Sequence, residues 1–197
     1  MNAPTFRAPR VAVFCGASVG VDPAYETAAR RLGEALGARG WGLVYGGGNV
    51  GLMGVIADAT IEAGSDVIGV IPEALREREL AHDGCRELIV VDTMHERKRA
   101  MMDASDAFVA MPGGIGTLEE LTEVFAWLQL GFHGKPCAMF DVDGYWAPFR
   151  ALMDHVVAEG FIAESAADQL LWASGVDELL DALAAWSTPT ATRWSTR

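Results

Sequence analysis

Lysine is nearly absent from this chain. Of 197 residues only Lys98 and Lys135 are lysines, and 15 Lys+Arg stand against 27 Asp+Glu, a formal charge of −12. Such a balance excludes general binding to DNA, RNA or an anionic membrane surface. Cysteine is scarce as well. Cys15, Cys85 and Cys137 lie far apart, no CxxC occurs, and an odd count suits no disulfide framework. Cys15 and Cys137 sit in apolar runs and read as small buried hydrophobes. Four scattered histidines add no metal-ligand spacing, so neither a metal nor another cofactor is expected. No apolar run approaches the ~18–20 residues of a membrane span. Met1–Arg10 lacks the apolar stretch of a secretory signal. A cytoplasmic protein is the expectation. A charged fraction of 21% beside 51% hydrophobic residues excludes a disordered chain.

What is present is a regular alternation. Val11–Cys15, Leu43–Tyr45, Val67–Ile71, Leu88–Val91, Phe108–Met111 and Cys137–Phe140 are short, uniformly apolar runs, with Leu170–Ala173 as a possible seventh. Strands apolar on both sides belong to a parallel sheet covered on both faces. Helical segments separate them. Asp22-Pro23 starts the first, which stops at Gly40; the second spans about Val50–Ala63. Others follow Thr93, Thr117 and Tyr145, and a last covers Val176–Trp186. The pattern predicts an α/β, Rossmann-like, doubly wound domain, mainly parallel, with helices on both faces. One domain over residues 1–197 is expected, with its core at about 11–182 and loose ends at Met1–Pro9 and Ser187–Arg197.

Ligands of such sheets bind beyond the carboxyl ends of the strands. Three glycine-rich loops fall there: Gly16-Ala-Ser18-Val-Gly20, Gly46-Gly47-Gly48-x-x-Gly51-x-x-Gly54 and Pro112-Gly113-Gly114-Ile115-Gly116-Thr117. The last two hold eight of the 22 glycines. Such loops turn backbone N–H groups toward an anion, and each feeds a helix N-terminus that favours phosphate. Tight turns are the alternative for any one of them. Gly46-x-Gly48-x-x-Gly51 formally matches GxGxxG, but no acidic ribose ligand is placed where a dinucleotide site needs it, and no Walker A loop exists.

Arg97-Lys98-Arg99 follow the fourth strand, near the rim where these loops converge. Arg97 and Lys98 read as anion contacts or as a solvated face; Arg99 reads as surface. Thr93-x-x-Glu96 is a capping box. Thr117-Leu118-Glu119-Glu120 has the same form, so Glu120 is either a cap or a carboxylate facing the non-phosphate part of a ligand. Helix Leu121–Leu130 is apolar nearly all round, which the core or a homodimer contact would explain.

At these residues the sequence resembles the Lonely Guy (LOG) family, cytokinin-activating nucleoside 5′-monophosphate phosphoribohydrolases formerly labelled lysine decarboxylases. Pro112-Gly113-Gly114-x-Gly116-Thr117-x-x-Glu120 matches its PGGxGTxxE motif. Met94-His-x-Arg97-Lys98, Tyr45-Gly46-Gly47-Gly48 with Gly51-Leu-Met-Gly54, Val70-Ile-Pro72, Trp127-x-Gln129-Leu-Gly131 and Lys135-Pro136 match as well. The likeness covers about residues 11–182. Plant members tend to carry Thr before the tryptophan, where this chain has Ala126.

The resemblance implies a Rossmann-like fold, a homodimer or higher oligomer, and cleavage of AMP or an N6-modified AMP to free base and ribose 5-phosphate. It implies Arg97 and Glu120 as the catalytic pair. It implies binding roles for Glu79, Lys98, Gly113, Gly114, Gly116, Thr117 and Glu119, to which the loop positions add Gly16, Ser18, Gly46, Gly47, Gly48, Met94, Ile115 and Leu118. Glu79 would hold ribose hydroxyls; otherwise it is a solvated charge. Two rivals share the same rim: a nucleotide or cofactor carrier that does not hydrolyse, as the molybdenum-cofactor carriers are, and a general purine nucleotide nucleosidase.

Overall fold

The structure is a computed structural model and describes residues 9–76 and 80–188. All seven apolar runs are strands: β1 (Arg10–Phe14), β2 (Gly42–Tyr45), β3 (Val67–Pro72), β4 (Glu87–Val91), β5 (Ala107–Ala110), β6 (Cys137–Phe140) and β7 (Leu170–Ala173). They form one sheet in the order β4-β3-β2-β1-β5-β6-β7, every neighbouring pair parallel. The helices are α1 (Pro23–Ala38), α2 (Gly51–Glu62), α3 (Met94–Ala104), α4 (Ile115–Gln129), α5 (Ala147–Ala158), the short α6 (Glu164–Ala167) and α7 (Val176–Ala184). Neither α6 nor the 3-10 turn at Glu73–Leu75 has a signal in the sequence pattern.

Alternate residues of each strand serve opposite faces. Val11 and Val13 of β1 join a core with α1, α2 and α7, through Leu32, Leu36, Ile56 and Leu180. Ala12 and Phe14 join the core under α3 and α4, through Met101, Leu121, Phe125 and Leu128. Both faces are therefore covered, and this is why the strands carry no polar stripe. Cys15 and Cys137 are buried, as their apolar surroundings imply.

Local chemistry sets the helix starts. Asp22 accepts the Ala24 N–H at 2.9 Å and Pro23 takes the first helical position. Thr93 accepts the Glu96 N–H at 3.2 Å while the Glu96 carboxylate accepts the Thr93 N–H at 3.1 Å, a complete capping box. The second expected box does not form. α4 begins at Ile115 with Gly114 as its N-cap, so Thr117 lies inside the first turn and Glu120 caps nothing there. The helix starts three residues earlier because extended Gly114 already turns the chain into it.

At their described margins the two ends are tied down. The Gly42 N–H donates to the Pro9 carbonyl at 2.8 Å, and the Thr188 hydroxyl donates to the Gly134 carbonyl at 3.1 Å. The rest of both expected loose segments lies outside the described residues. Among the described residues no helix is long and apolar enough to cross a membrane.

The strand order reverses between β1 and β5. From β1 the chain turns to the α1 face, and from β5 to the α4 face, so the two loops part and leave a crevice at the switch point.

Candidate active site

The crevice at the switch point has a volume of about 490 Å³ and is lined by Gly16 to Gly20, Tyr25, Leu52, Pro112 to Gly114 and Tyr145. No charged side chain is among these. A larger and more open hollow of about 610 Å³ runs along β4 and α3 past His95, Arg99 and Asp103. No glycine loop is among the residues that line that hollow, whereas two of the three glycine loops line the crevice.

Its floor is built by close backbone approach. The Gly16 N–H donates to the Pro112 carbonyl at 3.1 Å. A Cβ on Gly113 would stand 2.9 Å from the Gly16 nitrogen and would strike the Thr117 hydroxyl, so only glycine fits. Gly114 and Gly116, by contrast, face open space. The first N–H groups of α4 have no acceptor within the helix, because its first internal bond runs from the Leu118 N–H to the Gly114 carbonyl at 3.2 Å. Donors at Gly114 to Thr117 and the positive end of the helix dipole thus meet at an exposed spot suited to a phosphate.

The three consecutive cations separate in space, since neighbours on a helix point about 100° apart. Arg97 is buried, only 6% exposed. Its Nε donates to the Val70 carbonyl at 3.2 Å and its Nη2 to the Gly46 carbonyl at 3.1 Å, with Met94 Sδ 3.9 Å from Nη1. Gly46 is glycine because a Cβ there would overlap the guanidinium. Lys98 reaches sideways to α4, pairing with Glu119 and, at 3.1 Å, with Glu123. Burial opposes its charge, but the two carboxylates outweigh this and hold its pKa above the ordinary lysine value. Arg99 faces solvent and pairs with Asp103 at 2.8 Å. A cationic cluster in the sequence is therefore one buried arginine and two compensated charges.

Glu120 is half-buried on α4. It and Arg97 both act on Cys15, just past β1: burial pushes that thiol's pKa up, the Glu120 charge adds to this, and Arg97 opposes it. The charges of the two expected catalytic side chains are thus both felt at Cys15, at the C-terminal end of β1. Met94 and Ile115 are exposed on the rim and Leu118 is half-buried.

The second glycine loop, expected to contact the ligand through Gly46, Gly47 and Gly48, holds neighbouring parts of the protein. All three are buried and none lines the crevice. Gly46 seats Arg97, the Gly47 carbonyl accepts the His82 N–H at 3.0 Å, and Gly48 pairs with Ala81. This loop is the mount for Arg97 and for the segment from residue 80. Leu80 there is held at φ 48°, a strained conformation of the sort that gathers at functional sites. Glu79, the expected ribose ligand, lies outside the described residues.

Sequence reasoning missed His82, Asp58 and Tyr145. His82 is buried, with Nε2 3.0 Å from Asp58 Oδ1, and its Nδ1 accepts the Gly84 N–H at 3.0 Å. That pattern fixes the proton on Nε2 and ties the segment to α2. Only the sequence Leu80-Ala-His82 beside Glu79 hinted at it. Ala126 is exposed on α4, eleven residues past Ile115, which places it about 16 Å along the helix axis from the anion site of its own chain.

An open parallel sheet with helices on both faces and an N–H-rich crevice at its switch point defines an α/β protein of the Rossmann-like class. Residues 53–183 match the family model described as "Possible lysine decarboxylase". The chain is 49% identical over 178 residues to the probable cytokinin riboside 5′-monophosphate phosphoribohydrolase LOGL2 of Oryza sativa subsp. japonica, covering 90% of this chain and 73% of that one. It is 46% identical over 174 residues to cytokinin riboside 5′-monophosphate phosphoribohydrolase LOG3 of Arabidopsis thaliana, covering 88% and 81%. It belongs to the LOG family of phosphoribohydrolases. Among solved structures, the molybdenum cofactor binding protein of Rippkaea orientalis shares the fold, with a TM-score of 0.68 at 22% identity over 91% of this chain and 98% of that one. The decarboxylase label does not describe this protein. Pyridoxal phosphate chemistry needs a Schiff-base lysine, and both lysines are engaged: Lys98 by carboxylates, Lys135 through Nζ to the Met102 carbonyl at 2.7 Å.

Proposed function

We propose that this chain hydrolyses the N-glycosidic bond of a nucleoside 5′-monophosphate, AMP or an N6-modified AMP, as the names of its relatives describe for theirs. What supports this is the phosphate-suited crevice together with the charges of Arg97 and Glu120, both felt at Cys15 next to the crevice wall at Gly16. In the reaction the C1′–N bond breaks, its electron pair leaves with the base, and a water oxygen bonds to C1′. One water proton stays on the new C1′ hydroxyl of ribose 5-phosphate, and the other ends on the base nitrogen. Positive charge builds on the ribose, as in glycoside hydrolysis. Glu120 stabilises that charge and takes a proton from the water. Arg97 stabilises the negative charge of the departing base or the phosphate. The 5′-phosphate sits on the N–H groups of Gly113, Gly114, Ile115, Gly116 and Thr117, with Gly16 and Ser18 opposite. Glu79 holds ribose hydroxyls, while Lys98 neutralises Glu119 so that one carboxylate of the pair, Glu120, carries the charge that matters. The carrier reading is weaker, since a protein that only holds a phosphate gains nothing from a neighbouring carboxylate.

Purified protein incubated with AMP is expected to release adenine and ribose 5-phosphate, seen by chromatography. A panel including N6-isopentenyl-AMP, inosine monophosphate and the matching nucleosides separates cytokinin activation from general purine salvage. Binding of AMP without base release would favour the carrier.

The working form is a homodimer. α4 buries Leu121, Val124, Phe125 and Leu128 in its own core yet leaves Ile115 and Trp127 at or near its outer surface, Phe132 is exposed just beyond its end, and α5 has no buried residue. Light scattering at micromolar concentration is expected to give twice the chain mass, and Phe132→Glu to shift it toward the monomer. A monomeric wild type would remove the proposal. Three free thiols suit a reducing, cytoplasmic compartment.

A further inference from the structure

We infer that Tyr145 is a positioning residue that aims the anion-binding loop, and that it governs affinity for the phosphate part of the ligand alone. The inference rests on the proposed placement of the 5′-phosphate at the start of α4. The Tyr145 hydroxyl donates to the Gly113 carbonyl at 2.6 Å. In a trans peptide the carbonyl and the following N–H point in opposite directions. Fixing the Gly113 carbonyl toward Tyr145 therefore fixes the Gly114 N–H away from it, as the first of the donors that open onto the ligand. Glycine-glycine peptides rotate with little resistance, so without this hydrogen bond the plane of that peptide loses a fixed partner.

Tyr145 is itself held firmly. Its ring meets Tyr25 edge-on at 5.4 Å and Trp146 at 4.8 Å. The turn that delivers it is closed by the Trp146 N–H donating to Asp141 Oδ1 at 2.8 Å and the Tyr145 N–H donating to the Val142 carbonyl at 3.1 Å. Asp143 and Gly144 take left-handed conformations inside that turn, at φ 51° and 76°. The turn after β6 thus presents a hydroxyl to the loop after β5, and no charged side chain is among the described residues that line the crevice between them.

Tyr145→Phe keeps the ring and removes only the hydroxyl. The expected result is a rise of about tenfold in KM for AMP and in the inhibition constants of ribose 5-phosphate and inorganic phosphate, of the order of one well-placed hydrogen bond. kcat should stay within about twofold, and adenosine, which lacks the phosphate, should bind the variant and the wild type equally. Unchanged phosphate affinity overturns the inference. So does an equal loss for adenosine, which would mark a general packing role. If the wild type binds AMP without cleaving it, the hydrolytic reading fails by itself. Calorimetric Kd values for AMP and adenosine then decide the Tyr145 role by the same criterion.

Discussion

Glu120→Gln is expected to lower kcat for base release by roughly 10³-fold, within the range known for general acid–base groups, while KM for the nucleotide changes by less than about threefold. The amide keeps the shape of the side chain and removes its charge. No phosphate contact is lost, so binding should persist. The cap of α4 is Gly114, and the expected Thr117–Glu120 box is absent. Glu119→Gln is the proper comparison. It is one residue away, exposed, and paired with Lys98. Its loss should cost less than about tenfold, in line with an exposed ion pair. Base release, measured by chromatography over a range of AMP concentrations, separates the two terms. Comparable turnover in Glu120→Gln and wild type would falsify the catalytic assignment.

The second large effect is at Arg97. Arg97→Ala should reduce kcat/KM by roughly 10²–10³, as loss of a preorganised charge-stabilising donor does. It should also reduce stability by about 1–3 kcal/mol, because the Val70 and Gly46 carbonyls lose a buried, charged donor. Arg97→Lys should not restore activity. One ammonium on a flexible stem cannot reproduce a planar fork that reaches two carbonyls from separate strand ends. Urea titration gives the stability change and steady-state kinetics the rate. A stable Arg97→Ala protein with full turnover would remove Arg97 from the mechanism. Gly46→Ala provides an independent approach to the same side chain, since the added methyl displaces the guanidinium without touching its charge.

Much of this was legible in the sequence. Seven apolar runs became seven strands, and the Asp22-Pro23 and Thr93–Glu96 starts formed as local chemistry requires. The loop after β5 and its glycines could be located because a parallel sheet puts ligands at strand ends. What stayed hidden depends on distance along the chain. Tyr145 meets Gly113 across 32 residues and His82 meets Asp58 across 24, and no periodicity records such pairs. The run Arg97-Lys98-Arg99 misled in the opposite way. Contiguity in sequence suggested pooled charge, whereas helical rotation sends one cation inward, one to α4 and one to solvent. The extra helix-start signal at Thr117 failed because backbone conformation at Gly114 decided the start before any side-chain oxygen could.

The mount of Arg97 has a consequence for how this site drifts over evolutionary time. Two of the groups that hold the guanidinium are main-chain carbonyls, one in β3 and one just past β2. Main-chain atoms do not mutate. Side chains of the surrounding core are free to be exchanged for others of similar volume, and the arginine's address survives so long as the two strands keep their register. A change at Gly46 reaches the mount directly. A family built this way tolerates wide divergence in its interior while its reactive centre stays in place.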